Sequence, residues 1–434
     1  MARSSSDSRQ LVKFALPLFL IALSFIINYI DRGNISIAGP LLKTEFRLDD
    51  WQLGFLFSAF FWTYTGMQFI IGWLVDRFDA NRILAAGFLL WSVATMTTGF
   101  AHGFVVLLAM RFILGIGESV ALPCGSKILA CHLPEQYRGF ASGTLMSSLR
   151  CGNALGTLGA GLLMARYGWR PVFIGIGLIS LLWLPAWQKW KPRSHDTDPA
   201  RRAEDIALSQ QPGCKPGGPG FWDILFQRSF WGTSAGHFAA NYLFYFMITW
   251  LPSYLVRARH LSLSTMAVVG CLYYSVDAVS AMLSGWLQDV ALRRGYTATL
   301  VRKSTMAIGF GVAAAAILGC ALAGANSYLP WLLVAGVGCG LTGPGLYTFP
   351  QTLAGPEGTG KWYGWQNGLA NFAGVICPAL TGFILQRTGS FFAPFAITAA
   401  VCVGGVLAWV FVVGRVEQVK WEGKADPMIA PVSA

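Results

Sequence analysis

The feature that most constrains this chain is a repeated apolar run. Runs long enough to cross a bilayer core, about 20 residues each, recur along the sequence. Twelve are read, at 14–38, 51–74, 83–101, 104–130, 139–164, 169–189, 229–256, 264–288, 303–324, 328–352, 363–386 and 391–414. Hydrocarbon offers no water to satisfy backbone polar groups, so a spanning chain must be helical or a closed barrel. Barrel strands need only about 9–11 residues, far fewer than these runs. The sequence therefore predicts an all-α polytopic membrane protein of twelve transmembrane helices. Composition agrees. Charged residues are 12% of the 434, against about 25% in soluble domains. Disorder, a coiled coil, a disulfide scaffold and a typical soluble enzyme are excluded. The nine cysteines are scattered, without CxxC or Cys/His metal spacing, and read as small buried hydrophobes. No metal and no cofactor are called for. The polar stretch Met1–Gln10 precedes the first run without a cleavage site, so that run is expected to be a span and not a removed leader.

The longest polar stretch, Lys191 to Gly220, is rich in Pro, Gly, Arg and Asp and reads as a flexible linker. It divides the chain into a six-helix half at 1–190, a cytoplasmic linker at 191–220 and a second six-helix half at 221–434 with a cytoplasmic tail. The halves share landmarks. GWLVDRF (Gly72–Phe78) closes span two and GWLQDVA (Gly285–Ala291) closes span eight. RYGWRPVF (Arg166–Phe173) and RTGSFFAPF (Arg387–Phe395) join the last two spans of each half. Such duplication is the architecture of secondary transporters, which bind their cargo at the midplane between repeats. Loop charge sets the orientation. Of the 32 Lys and Arg residues, 22 fall on the side of the termini and seven on the other: Lys43, Arg47, Arg166, Arg170, Arg257, Arg259 and Arg387. Both termini are thus expected in the cytoplasm, and the net charge of +12 is topological. It gives no sign of a nucleic-acid surface.

Two motifs are decoys. GPEGTGKW (Gly355–Trp362) has P-loop spacing, but Trp362 stands where Mg²⁺ needs Ser or Thr, and no strand precedes it. Gly338, Gly340 and Gly343 spell GxGxxG inside an apolar span, where small residues serve close helix packing.

Six ionisable residues lie within the spans: Asp31, Arg32, Arg111, Glu118, Arg150 and Asp277. At the bilayer centre each costs at least about 2.5–3.5 kcal/mol, so such residues usually face a cavity or a partner. Tyr29 and Arg32 share one helical face of span one, and Asn28 and Asp31 a neighbouring one. Arg111 and Glu118 sit two turns apart on span four, about 10 Å at 1.5 Å per residue. That is too far to pair, so each should meet another helix. Arg150 lies in a polar patch of span five. Asp277 on span eight has three readings: partner of an arginine, cation ligand, or structural group. In the second half the polar groups are neutral. His237, Asn241 and Tyr245 form one stripe; Tyr363, Asn367 and Asn371 form another, beside Trp365 and Gln366. Tyr64 and Gln68 pair similarly on span two. Fixed positive charge in one half and hydroxyl-reading groups in the other imply a small polar anion clamped by arginine. Asp31 and Glu118 suggest proton coupling, because a buried carboxylate favours its neutral form unless an arginine is close.

The loop GWLVDRFDANR (Gly72–Arg82) resembles the signature of the major facilitator superfamily. NYIDRGNISIAGP (Asn28–Pro40), RFILGIGESVALP (Arg111–Pro123), LPEQYRGFASG (Leu133–Gly143), TWLPSYL (Thr249–Leu255) and GWQNGLANFAGVICP (Gly364–Pro378) resemble its anion:cation symporters. These include sugar-acid transporters and vesicular glutamate and sialic acid transporters. The resemblance implies that Asp31 and Glu118 couple protons, with Arg111 in their network. It implies that Arg32 binds the substrate carboxylate beside Tyr29 and Tyr64, and that Asn367 or Asn371 reads sugar-acid hydroxyls. Asp76 and Arg77, with Arg82, belong to its cytoplasmic gate. Two departures stand out. Cys131 and His132 replace the usual Trp before Leu133, and Arg150 stands where sugar-acid transporters carry an uncharged polar residue. An added cation favours a dianion, such as an aldarate.

The resulting expectation is a proton-coupled symporter importing a small organic anion across the inner membrane as a monomer. The substrate is a sugar acid (aldonate, hexuronate or aldarate) or a related carboxylate, and its groups meet Arg32, Tyr29, Tyr64, Arg150, Asn367, Asn371, Gln366 and Trp365. An exchanger or exporter, or a sodium-coupled carboxylate transporter, is the alternative. No catalytic constellation is present, so an enzyme is not expected.

Overall fold

The computed structural model describes residues 2–133, 135–192, 219–324, 327–419 and 421. Span one is α1 (Ala2–Glu45), span two α2 (Asp50–Arg77) and span three α3 (Ala80–Thr98). Span four is broken into α4 (Phe104–Glu118) and α5 (Ala121–His132). Span five is α6 (Glu135–Tyr167), and span six is α7 (Trp169–Leu181) with α8 (Trp183–Trp190). A short α9 (Phe221–Leu225) leads into span seven, α10 (Arg228–Ser253), which ends in a π-helical turn at Tyr254–Ala258. Spans eight and nine are α11 (Leu263–Arg293) and α12 (Ala298–Leu322). Span ten is α13 (Tyr328–Thr342) plus the start of α14 (Gly345–Thr388). α14 turns back at Gly355, where φ is 67°, and from Gly358 forms span eleven. Span twelve is α15 (Phe392–Leu407) with a π turn at Ala408–Val412.

All twelve expected spans are therefore helices. Their ends shift because polar residues continue the hydrogen-bonded helix beyond the apolar run: span one reaches Glu45 and span nine begins at Ala298. Of the linker expected at 191–220, residues 193–218 lie outside the described residues, as does Cys214. Eight of the helical segments are apolar enough to cross a membrane on hydropathy alone. The helices of spans two, three, five and seven are long enough, at 28, 19, 33 and 26 residues. Their hydropathy is diluted by polar and aromatic groups that face protein. α10 shows this best, being buried on most of its circumference from Phe230 to Ser253.

The packing reveals the repeat. Span two lies against span eleven, span five against span eight, and span one against span seven. Superposing the halves exchanges two with eight and five with eleven, so the first two contacts are one contact repeated. Backbones approach closely there. A Cβ on Gly54 would fall 2.9 Å from the Cα of Gly382, and one on Gly161 would fall 2.5 Å from the Cβ of Ala267. In span ten, a Cβ on Gly338 would meet the Ala313 nitrogen at 2.5 Å, and one on Gly340 the Asp277 carbonyl at 2.4 Å. The apparent nucleotide-binding glycines are thus packing positions. The P-loop look-alike is the turn between spans ten and eleven, with Trp362 fully buried and its indole donating to Thr233 Oγ1 at 3.2 Å.

Candidate functional site

Both fourth spans break near their middle, and proline explains where. Pro123 cannot donate to the carbonyl of Ser119, nor Pro344 to that of Gly340, so the helices reset at those points. In span four the break follows Glu118, and Gly115 and Gly117 let spans two and three close in around it. A Cβ on Gly115 would strike the Phe60 carbonyl at 2.3 Å, and one on Gly117 the Trp91 nitrogen at 2.8 Å.

Glu118 is met by Arg32 near the middle of α1. Arg32 Nε and Nη2 donate to Glu118 Oε2 at 3.1 and 3.0 Å, and both side chains are buried, at 4% and 0% exposed. Tyr29, Phe60 and Tyr64 surround the guanidinium, with ring centroids 4.6, 4.9 and 4.7 Å away. The Tyr29 hydroxyl and Asn28 Oδ1 accept longer contacts of 3.4 and 3.5 Å. Arg111 shares the Phe60 ring at 5.0 Å. Arg32, Asp31, Arg111 and Glu118 are all buried. Arg111 Nε has no hydrogen-bond partner among the described residues, and Asn28 lies in hydrogen-bond reach of Glu118. Asp31 lies beside Thr95 of α3, with Arg111 and Glu118 in electrostatic reach. The expected cluster of Asp31, Arg32, Arg111, Glu118, Tyr29 and Tyr64 is thus one assembly. Buried charge is costly, and this cluster is the candidate site.

The second half supplies a neutral wall. Tyr245 OH donates to Asn371 Oδ1 at 2.5 Å, and Asn371 Nδ2 donates to the Asn367 carbonyl at 2.9 Å. Thr65 of α2 reaches the Asn371 carbonyl at 3.5 Å, and the Tyr245 ring packs on Phe61 at 4.3 Å. Gln366 turns away from this wall: it contacts His237 Nδ1 at 3.0 Å and donates to the Leu346 carbonyl at 3.3 Å. Trp365 is placed elsewhere again. It is exposed on the same face as Phe372, Ile376 and Phe383, two residues from Asn367 and so about 200° around the helix. Proximity in sequence had grouped Trp365 and Gln366 with the stripe; helical rotation separates them.

Arg150 does not stand free. Its Nη1 donates to Asp277 Oδ2 across the two halves, and more weakly to the Asp277 carbonyl at 3.4 Å. Of the residues expected at the gate, Arg77 is exposed with its guanidinium over Trp73 at 5.6 Å. Arg82 lies 3.8 Å from Asp79, which caps α3 through Asn81 N at 2.9 Å. The Asp76 side chain lies outside the described residues.

Sequence reading missed two aromatic groups and one clasp. Phe60 serves both arginines, and Tyr347 lies in electrostatic reach of Arg150 and Tyr64; an aromatic in an apolar span looks like core, and only Phe60's place one turn before Tyr64 hinted otherwise. The clasp is Asp50, at the edge of span two. It accepts from Lys43 at 2.5 Å and from Arg257 at 2.6 and 3.1 Å, while its N–H donates to Gln386 at 2.9 Å. Burial pushes the Asp50 carboxyl up, but the hydrogen bonds and charges of Arg257 and Lys43 outweigh this and hold it below its ordinary value. Ser36 to the Ile248 carbonyl and Ser58 to the Val375 carbonyl, both 2.6 Å, continue the seam. Among the described residues, every hydrogen bond between halves lies at the midplane or toward this end.

Two duplicated six-helix halves around a charged midplane site define a secondary transporter. The Major Facilitator Superfamily model matches residues 21–368, and the chain belongs to that family. It is 33% identical over 406 residues to a probable sulfoacetate transporter of Cupriavidus necator, covering 91% of this chain and 93% of that one. It is 28% identical over 422 residues to a D-galactonate transporter of Escherichia coli (93% and 96% covered), and 29% over 409 to a hexuronate transporter of Bacillus subtilis (91% and 94%). Its fold matches an inward-facing, unoccupied bacterial homologue of the human lysosomal transporter Spinster, with TM-score 0.72 at 20% identity, covering 92% of this chain and 95% of that one. The relatives and the fold are those of transporters, not enzymes, and the chain is a multi-pass membrane protein.

Proposed function

We propose that this protein is a proton-coupled symporter that imports a small organic anion, a sugar acid or related carboxylate, across the inner membrane as a monomer with both termini in the cytoplasm. One observation carries the reading: Arg32, buried at midplane, holds a carboxylate of the protein itself, Glu118 Oε2, inside a cage of aromatic rings. An arriving carboxylate competes for that guanidinium. Once Glu118 loses Arg32 it has no direct ion-pair partner, only Arg111 in electrostatic reach, and taking up a proton removes the remaining burial penalty. Substrate and proton thereby load together. Tyr245, Asn371 and Asn367 read hydroxyl groups from the facing half. The clasped seam at Asp50 closes the end assigned to the outside by loop charge, so the site faces the cytoplasm. The names of the relatives, sulfoacetate, galactonate and hexuronate transporters, support an anionic cargo.

Proteoliposomes under an imposed inward proton gradient test this. We expect accumulation of a sugar acid or sulfoacetate that collapses with a protonophore. Glu118→Gln should retain exchange but lose gradient-driven accumulation. Undiminished accumulation by that variant would remove Glu118 from coupling, and exchange without accumulation in the unaltered protein would favour an exchanger.

A further inference from the structure

The ion pair between Arg150 and Asp277 joins the two halves near the middle of α6 and α11. Among the described residues, the other ion pair between halves is the Asp50–Arg257 clasp at the span ends. The midplane pair is uneven. The Arg150 side chain is 27% exposed and that of Asp277 4%, so the arginine is the more accessible partner of the two. Asp277 Oδ1 is buried, and the Cys339 thiol lies in hydrogen-bond reach of the carboxylate. On the other side, Arg150 Nη2 lies where a Cβ on Gly343 would be, 2.5 Å away. The break in span ten thus forms a socket for the guanidinium.

The surroundings of Arg150 also belong to Arg32. α6 itself lies against Tyr29, through Gly152 on another face of the helix, and Tyr29 covers Arg32. Tyr347 lies in reach of Arg150 and of Tyr64, and Tyr64 covers Arg32 as well. Tyr347 and Tyr64 thus lie between the two fixed cations in electrostatic reach, and each cation is occupied by a carboxylate of the protein.

We propose that Asp277 stands in for the second acidic group of a dianionic substrate: that group takes Arg150 from Asp277 while the first takes Arg32, and so undoes the midplane ion pair between the halves. The proposal rests on the reading of Arg32 given under Proposed function. A monoanion satisfies Arg32 alone and leaves the halves bridged. A dianion matches both guanidinium groups and frees α6 from α11. Asp277, once released, keeps Cys339 and Tyr273 as neighbours.

The test is ligand titration of the purified full-length protein with matched probes: sulfoacetate against acetate, and D-glucarate against D-gluconate. The unaltered protein should prefer the dianion of each pair by at least about ten-fold, the scale of one charge-assisted hydrogen bond. Arg150→Gln should erase that preference, and Asp277→Asn should tighten dianion binding several-fold by removing the internal competitor. The double variant Arg150→Gln/Asp277→Asn leaves no lone buried charge, which guards against misfolding, and should also lack the preference. Retention of the preference by the folded double variant would overturn the proposal. Equal loss of monoanion and dianion affinity would do so too, making the pair a structural tie. The anion reading fails separately, if Arg32→Ala binds every probe as the unaltered protein does.

Discussion

Spans four and ten are built on one backbone plan and filled with different chemistry. α4 and α13 each have 15 residues, and α4 and α5 begin 224 residues before α13 and α14 respectively. Each span breaks at the same point, beside a proline. In span four the break carries Glu118, with Arg111 two turns away. In span ten the same stretch holds Gly336, Gly338, Gly340 and Gly343 and no charge, and its socket is filled by Arg150 from the other half. The two halves share the backbone device, and charge is present in one of them. Both midplane guanidinium groups that meet a carboxylate, Arg32 and Arg150, thus come from the first half, and the second half contributes hydroxyls, amides and Asp277.

The difference between the halves can be broken first at Arg32. Arg32→Ala should lower anion affinity by at least about 100-fold, since it removes a charged bidentate anchor. A titration showing near-normal affinity in folded protein would move the anchor out of the first half. The neutral wall should matter less. Tyr245→Phe deletes one hydrogen bond to Asn371, worth about 1 kcal/mol, so sugar-acid affinity should fall about five-fold and sulfoacetate affinity should hardly change. Equal effects on both probes would mean that the wall does not read hydroxyls. The smallest effect is expected at the Asp50 clasp. Its carboxyl is held below its ordinary value, so its contribution is present above that value and lost only as pH falls through the lowered one. Acid should therefore break the ion pairs of the clasp only below the ordinary carboxylate range. Asp50→Asn should then leave the slope of uptake against pH between about 5 and 8 unchanged. A changed slope would give Asp50 a part in coupling.

Much of this architecture was legible in the sequence, because span length and buried charge are penalties imposed by the bilayer on each helix separately. Twelve spans, two halves, and Arg32, Glu118 and Arg111 as interior groups all follow from that. Partnership does not, because it depends on how each helix is rotated and what faces it. An arginine partner is one of three readings that the sequence allows Asp277, but which arginine it meets, Arg150 at 127 positions away, depends on the packing. Trp365 and Gln366 sit beside Asn367 in sequence and point elsewhere. Asp50 and Arg257 lay where charge is ordinarily credited to topology, and only the packed halves show them to be a pair.

The crossing of spans two and eleven at Gly54 and Gly382 has a mechanical consequence. With no side chains between them, the two backbones touch along smooth surfaces, and an added Cβ on Gly382 would lie 2.4 Å from the Asp50 carbonyl. Interlocked side chains would hold such a contact in discrete registers, like teeth. Bare backbones can pivot on one another as on a bearing, with resistance left to what lies beside the crossing: the Asp50 clasp, Ser58 on the Val375 carbonyl and the Phe61 ring against Gly374.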